Sequence, residues 1–250
     1  MTGALVLAAS GETNSITVGD HPTVEFLGMT FNVDTMYTTV IAGVVVCALL
    51  YWVARKASHD RPGKLQVVTE LVVTQTRNYV EQAVQHDVPP WLVPLGACLF
   101  FFILFCNWLG WFPSGHHPAR LEPPTADVNL VYAMTAWVVI LYTYLGVKRK
   151  GGRYVGDWFR AKPVGLRTFI LLLEQVVNPL SLSLRLFGNI FAGGIMLAVI
   201  ALLPFYLFPL YGAADFIWRI FDSGFIAPIQ AFIYSFLTIL YFGFATAEEH

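Results

Sequence analysis

The residue that most demands a chemical explanation is Arg185. It stands in an otherwise apolar run, Thr168 to Leu203, with 17 residues before it and 18 after. An arginine at the centre of a membrane helix costs about 2.5–3.5 kcal/mol on insertion scales. Its guanidinium keeps its charge at any accessible pH, so it cannot relay protons by releasing its own. It can hold a fixed positive charge deep in a membrane and attract a carboxylate. Ser181 and Asn189 lie one helical turn either side of it, and Glu174, eleven residues earlier, falls on nearly the same stripe. Gly188 and Ala192 keep the region thin, which lets another helix come close. A polar stripe flanked by small residues describes a contact surface for a partner helix. Two alternatives stand beside this: Arg185 forms an internal ion pair with an acid such as Asp222, and Glu174 simply snorkels to the inner headgroups.

The last apolar stretch carries the other candidates. If residues 168–203 and 213–247 form a hairpin turning near 207–208, antiparallel register puts Gln230 opposite Arg185. Its amide would then restrain the guanidinium. Asp215 and Asp222 are seven residues apart on one face, with Arg219 between them. They either line a water-filled entry for protons or form an interfacial ion ladder at helical spacing. Asp127 precedes a helical run, so it either joins the entry path or serves as an N-cap.

The elements that must position these residues follow from composition. Of 250 residues, 56% are hydrophobic and only 12% charged, about half the usual charged share. That excludes a soluble enzyme, a disordered tail and a nucleic-acid binder, and indicates a multispan membrane protein. Residues 1–35 read as an extracytoplasmic N-terminal segment and 36–250 as one membrane domain. Within it, spans are expected at about 36–54, 91–112, 128–147, 168–203 and 213–247. Residues 65–87 repeat apolar positions at helical spacing with Glu70, Arg77 and Glu81 between them. This is an amphipathic helix lying on the membrane surface or beside another subunit. The expected fold is therefore all-α: five membrane-crossing helices, one interfacial amphipathic helix, and a long, strongly tilted final hairpin. The tilt follows from length. A 36-residue helix is about 54 Å long, against a hydrocarbon core of about 30 Å.

Charge gives the orientation. The loops at 55–64 and 148–167 hold 11 of the 15 Lys and Arg residues, and basic loops face the cytoplasm. The N-terminus is then outside and the C-terminus inside. Cys47, Cys98 and Cys106 all sit in apolar runs and read as buried, inert thiols. No metal-ligand spacing is present and no cofactor is expected. The six histidines, at 21, 59, 86, 116, 117 and 250, lie outside the spans, which argues against a haem-binding respiratory subunit. The chain has no internal repeat of the kind that builds secondary transporters. A plain scaffold would give no reason for Arg185.

The segment Pro179-Leu-Ser-Leu-Ser-Leu-Arg185-Leu-Phe-Gly-Asn189-Ile-Phe-Ala-Gly193 resembles the a subunits of bacterial F-type ATP synthases. Further anchors lie along most of the chain: His21-Pro22, Asn32-Val-Asp34, Pro124-Thr-Ala-Asp127-Val-Asn129, Gln230-Ala-Phe-Ile-Tyr and Thr246-Ala-Glu-Glu-His250. The resemblance implies a stationary, non-catalytic subunit of the F0 sector in the bacterial plasma membrane. It implies Arg185 as the stator arginine facing a ring of c subunits, with a b-type peripheral stalk as a second partner. Asn189 and Gln230 match polar positions near the arginine, and Asp127 matches the acid before the third span. The pattern departs at three places. Gly194 stands where many members carry Glu. Seven residues before Gln230 stands Ser223 in place of an ionisable group, with Asp222 beside it, so that a one-residue offset at Pro228 would bring Asp222 into the role. Leu171 stands where an inner acid is usual, with Glu174 one turn nearer the arginine.

Overall fold

The structure is a computed structural model that describes residues 23–26, 29–58, 62–84, 88–111, 123–151, 166–202 and 208–246. The remainder of the N-terminal segment, the loop histidines 59, 86, 116 and 117, most of the basic loop at 148–167, Pro204 in the hairpin turn and the tail at 247–250 lie outside them.

A short antiparallel hairpin comes first, β1 (Thr23–Phe26) with β2 (Met29–Asn32), in register Thr23 with Asn32 and Phe26 with Met29. Each strand has only four residues, too few for an alternation to show in the sequence. The hairpin leads directly into α1 (Val33–Lys56). Then follow α2 (Lys64–Ala83), α3 (Leu92–Leu109), a 3₁₀ turn (Pro124–Ala126) and α4 (Val128–Lys150). The chain ends with α5 (Leu166–Ala201), α6 (Phe208–Phe221), a π turn (Asp222–Ile226) and α7 (Ala227–Thr246). Among the described residues, five stretches are long and apolar enough to cross a membrane, the last being the continuous Leu210–Thr246. Both this stretch and α5 exceed the hydrocarbon thickness, so they fit only when inclined.

The core is built around α7. Its buried positions, including Gln230, Ala231, Tyr234, Ser235, Thr238, Ile239, Phe242 and Gly243, point in more than one direction because α2, α3 and α4 all pack on it. Lipid tails are as apolar as leucine, so helices in a membrane gain by close packing and shared polar contacts rather than by escaping water. The sequence meets that need with small residues. At Gly96 of α3 an added Cβ would stand 2.8 Å from Thr76 Cγ2 and 3.0 Å from Ile239 Cδ1. The Gly96 carbonyl accepts a 2.7 Å bond from Ser235 Oγ. At Gly243 an added Cβ would fall 2.7 Å from the Ala83 carbonyl oxygen, so α7 touches the backbone of α2 itself.

The amphipathic α2 thus has its partner within this chain. Thr76, Val80 and Val84 are buried, and Tyr79 packs edge-on against Phe232 and Phe236. Its other face, including Leu65, Val68 and Leu71, is exposed. The thiols differ from expectation: Cys106 is buried, but Cys47 and Cys98 are exposed. An apolar run lacks the information to distinguish a lipid-facing position from a core position. Cations close the ends of α1 and α4 over aromatic rings, Arg55 over Tyr51 at 5.0 Å, Lys56 over Trp52 at 4.6 Å and Lys148 over Tyr144 at 6.0 Å. These are interfacial anchors.

The packing at Gly243 sets a test. Gly243→Ala should force α2 off α7, since the group in the way is backbone and cannot rotate aside; overpacking of this kind costs about 1–3 kcal/mol. The thermal unfolding midpoint of the detergent-solubilised protein should fall by several degrees. Gly43→Ala, with no atom within 4 Å of the new methyl group, should leave it unchanged.

Candidate functional site

On α5, helical periodicity divides the residues around Arg185 into two sides. Leu182, Leu186 and Ile200 are buried against the bundle, and Gly193 joins them. Ser181, Leu184, Ile195 and Val199 are exposed. Arg185 falls at the edge of the exposed side, and its side chain is exposed. Among the described residues it has neither an ion pair nor a hydrogen bond, whereas Arg219 pairs with Asp215. The internal pairing of Arg185 with Asp222 is therefore not what the structure contains.

Three contacts fix how α5 meets the last helices. Tyr241 Oη donates to the Asn178 carbonyl at 3.3 Å, Asn189 Nδ2 donates to Gln230 Oε1 at 2.7 Å, and the Asp222 carboxylate lies beside Gly193. The pairs run antiparallel, but Gln230 meets the asparagine one turn beyond Arg185 rather than the guanidinium itself. The expected register assumed equal residue consumption on both helices. Between the two upper contacts α6–α7 spends eight residues, from Asp222 to Gln230, and α5 spends four, from Asn189 to Gly193. The π turn contributes to that difference, because it accommodates an extra residue in one turn.

The π turn has a local cause. The Ala227 N–H bonds to the Asp222 carbonyl, five residues back. In the same pattern residue 228 would bond to Ser223, but Pro228 has no N–H. The Ser223 carbonyl is instead met by the indole of Trp108 on α3, Nε1 to oxygen at 2.9 Å. A buried carbonyl freed by proline thus finds its donor on another helix. The consequence concerns direction. Ser223 is buried, whereas the half-buried Asp222 carboxylate faces α5, where a Cβ on Gly193 would stand 3.5 Å from Asp222 Oδ1. Gly194, at the position where many similar sequences carry Glu, has open space around it. Among the described residues Asp222 has no hydrogen-bond or ion-pair partner.

Asp215 and Arg219 are paired, Nε to Oδ2 at 2.9 Å. Arg219 Nη1 also donates to the carbonyls of Gly110 and Trp111 at 3.3 Å each. It thereby ties α6 to the end of α3, where helix carbonyls lack internal partners and favour a cation. This tie went unseen in the sequence because the two ends are more than a hundred residues apart. Asp127 is buried and caps α4 by accepting from the Asn129 N–H at 2.8 Å. Its other oxygen accepts from Asn32 Nδ2 at 2.7 Å and Thr35 Oγ1 at 2.9 Å. The carboxylate therefore ties the start of α1 to the start of α4. Nearby, Thr125 Oγ1 donates to Asn107 Oδ1 at 2.8 Å. Glu174 lies on α5; its side chain is outside the described residues.

This geometry leaves a cation on the exposed side of one overlong membrane helix and a carboxylate at its contact with the next, neither of them hydrogen-bonded or ion-paired among the described residues. Comparison with known proteins gives the pattern its context. The family model described as the ATP synthase A chain matches residues 36–243. The chain belongs to this family. It is 44% identical to the ATP synthase subunit a of Mycobacterium bovis over 246 residues, covering 94% of this chain and 96% of that protein. It is 40% identical to that of Acidothermus cellulolyticus, covering 93% and 83%, and 34% identical to that of Bacillus pumilus, covering 91% and 98%. Members of the ATP synthase A chain family are ion-translocating membrane subunits of the F0 sector, and the ATP chemistry lies in F1. The chain is accordingly a multi-pass membrane protein that assembles with other F0 subunits.

The hydrogen bonds of Asp127 predict a graded response. Asp127→Ala removes the acceptor from Asn32 and Thr35 and the cap from α4, a loss of roughly 2–3 kcal/mol. Asp127→Asn keeps one acceptor oxygen and should lose less. The unfolding midpoint of the purified ATP synthase membrane sector should rank wild type above Asn above Ala.

Proposed function

We propose that this chain supplies the stator charge and the two offset aqueous half-channels through which proton flow turns a ring of c subunits. The observation that carries the reading is the exposed guanidinium of Arg185, unpaired within the described chain. The polar side chain one turn away, Asn189, is by contrast spent on Gln230. An unneutralised guanidinium in apolar surroundings is costly unless a mobile acid from outside the chain meets it.

In this mechanism protons enter from the outer side past Asp127, Asp215 and Asp222, with Ser223 beside the last of these. They neutralise a ring carboxylate, which can then pass through lipid. After rotation the same group reaches the inner half-channel near Glu174. Arg185 favours the charged carboxylate there by direct attraction and separates the two half-channels by repelling protons that would pass between them. Asn189 and Gln230 act as a clasp that fixes the α5 surface presented to the ring. Asp222 is the ionisable group of the entry path. The support is that it has no hydrogen bond or ion pair among the described residues, and that it lies beside Gly193, on the helix that bears Arg185. Asp127 and Asp215, already held by hydrogen bonds and by Arg219, shape the vestibule that leads to it.

Basic residues stacked on aromatic rings at the ends of α1 and α4 support an orientation with those ends cytoplasmic, the N-terminus outside and the C-terminus inside. Besides the ring, the partners are a b-type peripheral stalk subunit and the membrane lipid.

Arg185→Ala in the assembled enzyme should abolish ATP-driven proton pumping into membrane vesicles while the F1 sites still hydrolyse ATP. Coupled pumping at the normal rate would remove Arg185 from the role. Asp222→Asn should slow proton entry, read as passive proton flux through F1-stripped vesicles, by more than Ser223→Ala does. Equal and negligible effects would take Asp222 out of the path.

A further inference from the structure

A second feature lies in the other half of the molecule, away from Arg185. A cavity of about 560 Å³ opens between α1, α2 and α3. Its walls are mostly apolar and include Leu50 of α1, Val73 of α2, and Val93 and Ala97 of α3. Pro90 and Pro94 also line it and bring no N–H groups to the surface. Two charged groups interrupt the lining, Arg77 and Glu81 of α2. With Val73 they follow at intervals of four, so all three stand one above another on a single face.

The two charges are close neighbours on the helix, yet among the described residues there is no ion pair between them; both are exposed, and neither has a hydrogen-bond partner among those residues. An Arg followed by a Glu four residues later is the weaker order for such a pair. A cation and an anion on the rim, left available side by side, match a ligand that carries both charges. The apolar walls lead inward from them. Leu50 is six residues before Lys56, so the wall reaches about 9 Å inward from the cationic end of α1. A polar, doubly charged rim over an apolar chamber of this depth has the profile of one lipid molecule at the membrane boundary.

A neighbouring transmembrane helix would offer the rim no paired phosphate and ammonium. A thin acyl chain enters such a space without needing its full width. The geometry points to a phospholipid site in which Arg77 receives the phosphate and Glu81 the primary ammonium of a phosphatidylethanolamine, with an acyl chain along Leu50, Val73, Val93 and Ala97. The site is independent of the proton path, so its test reads lipid binding and not pumping.

The intact ATP synthase is reconstituted in vesicles containing a photoactivatable phosphatidylethanolamine or, separately, the matching phosphatidylglycerol, and the labelled peptides are mapped. Labelling by phosphatidylethanolamine should concentrate within residues 73–98. Arg77→Gln should lower labelling by either lipid about fivefold, the usual effect of one cation at a lipid headgroup. Glu81→Gln should lower labelling by phosphatidylethanolamine and spare that by phosphatidylglycerol, which has no ammonium. Leu50→Trp narrows the chamber with both charges intact and should suppress both. The proposal is overturned by labelling that ignores Arg77→Gln and Leu50→Trp, or by its absence from 73–98 because a neighbouring subunit covers the cavity. A loss with Arg77→Gln but none with Glu81→Gln overturns the paired-charge headgroup.

Discussion

A guanidinium in a hydrocarbon setting must be either neutralised by a partner or kept for one. Arg185 sits at the edge of the exposed side of α5 with no partner among the described residues. Some of the polar groups that could have satisfied it are otherwise engaged. Asn189 holds Gln230, and Arg219 takes Asp215. The chain therefore keeps one positive charge available on a surface where that charge is expensive. Such an arrangement persists only when the rest of the fold fixes it.

The fixing begins at α7. Gly243 lets α2 approach to backbone contact, Gly96 of α3 makes room for the side chains of Thr76 and Ile239, and Ser235 seals the approach of α3 with a hydrogen bond. Phe242 is closed in by Trp91 and Tyr142 in edge-to-face contacts. With α7 held on three sides, Gln230 becomes a fixed point, and through Asn189 it locates the turn of α5 that follows Arg185. The π turn above it rests on the same frame, since Trp108 of α3 supplies the donor that Pro228 removed. One tryptophan thus connects the packing of the bundle to the direction of Asp222.

Much of this was legible in the chain itself. The five apolar stretches, the two of excessive length and the arginine stripe all follow from spacing and hydropathy. Pro228 marked where the last helix departs from regular geometry, and Asp127 ahead of a helical run marked a cap. Other features needed the third dimension. The partners of Asp127 at the start of α1, Asn32 just before it and Thr35 in its first turn, are over ninety residues distant. The register that gives Gln230 to Asn189 depends on how many residues the π turn absorbs. The exposure of Cys47 and Cys98 was hidden because lipid and protein core select the same side chains. The hairpin β1–β2 was hidden because each strand has only four residues, too few for a period to declare itself.

The most direct measurement is disulfide cross-linking in assembled ATP synthase, between single cysteines placed along α5 and the acid-bearing helix of the c ring. The face that holds Arg185 should react, so cysteines at Ser181 and Ala192 should join to the ring, and cysteines at the buried Leu182 and Leu186 should not. If the buried positions react instead, or if neither set does, the guanidinium does not face a moving acid and its central role is contradicted.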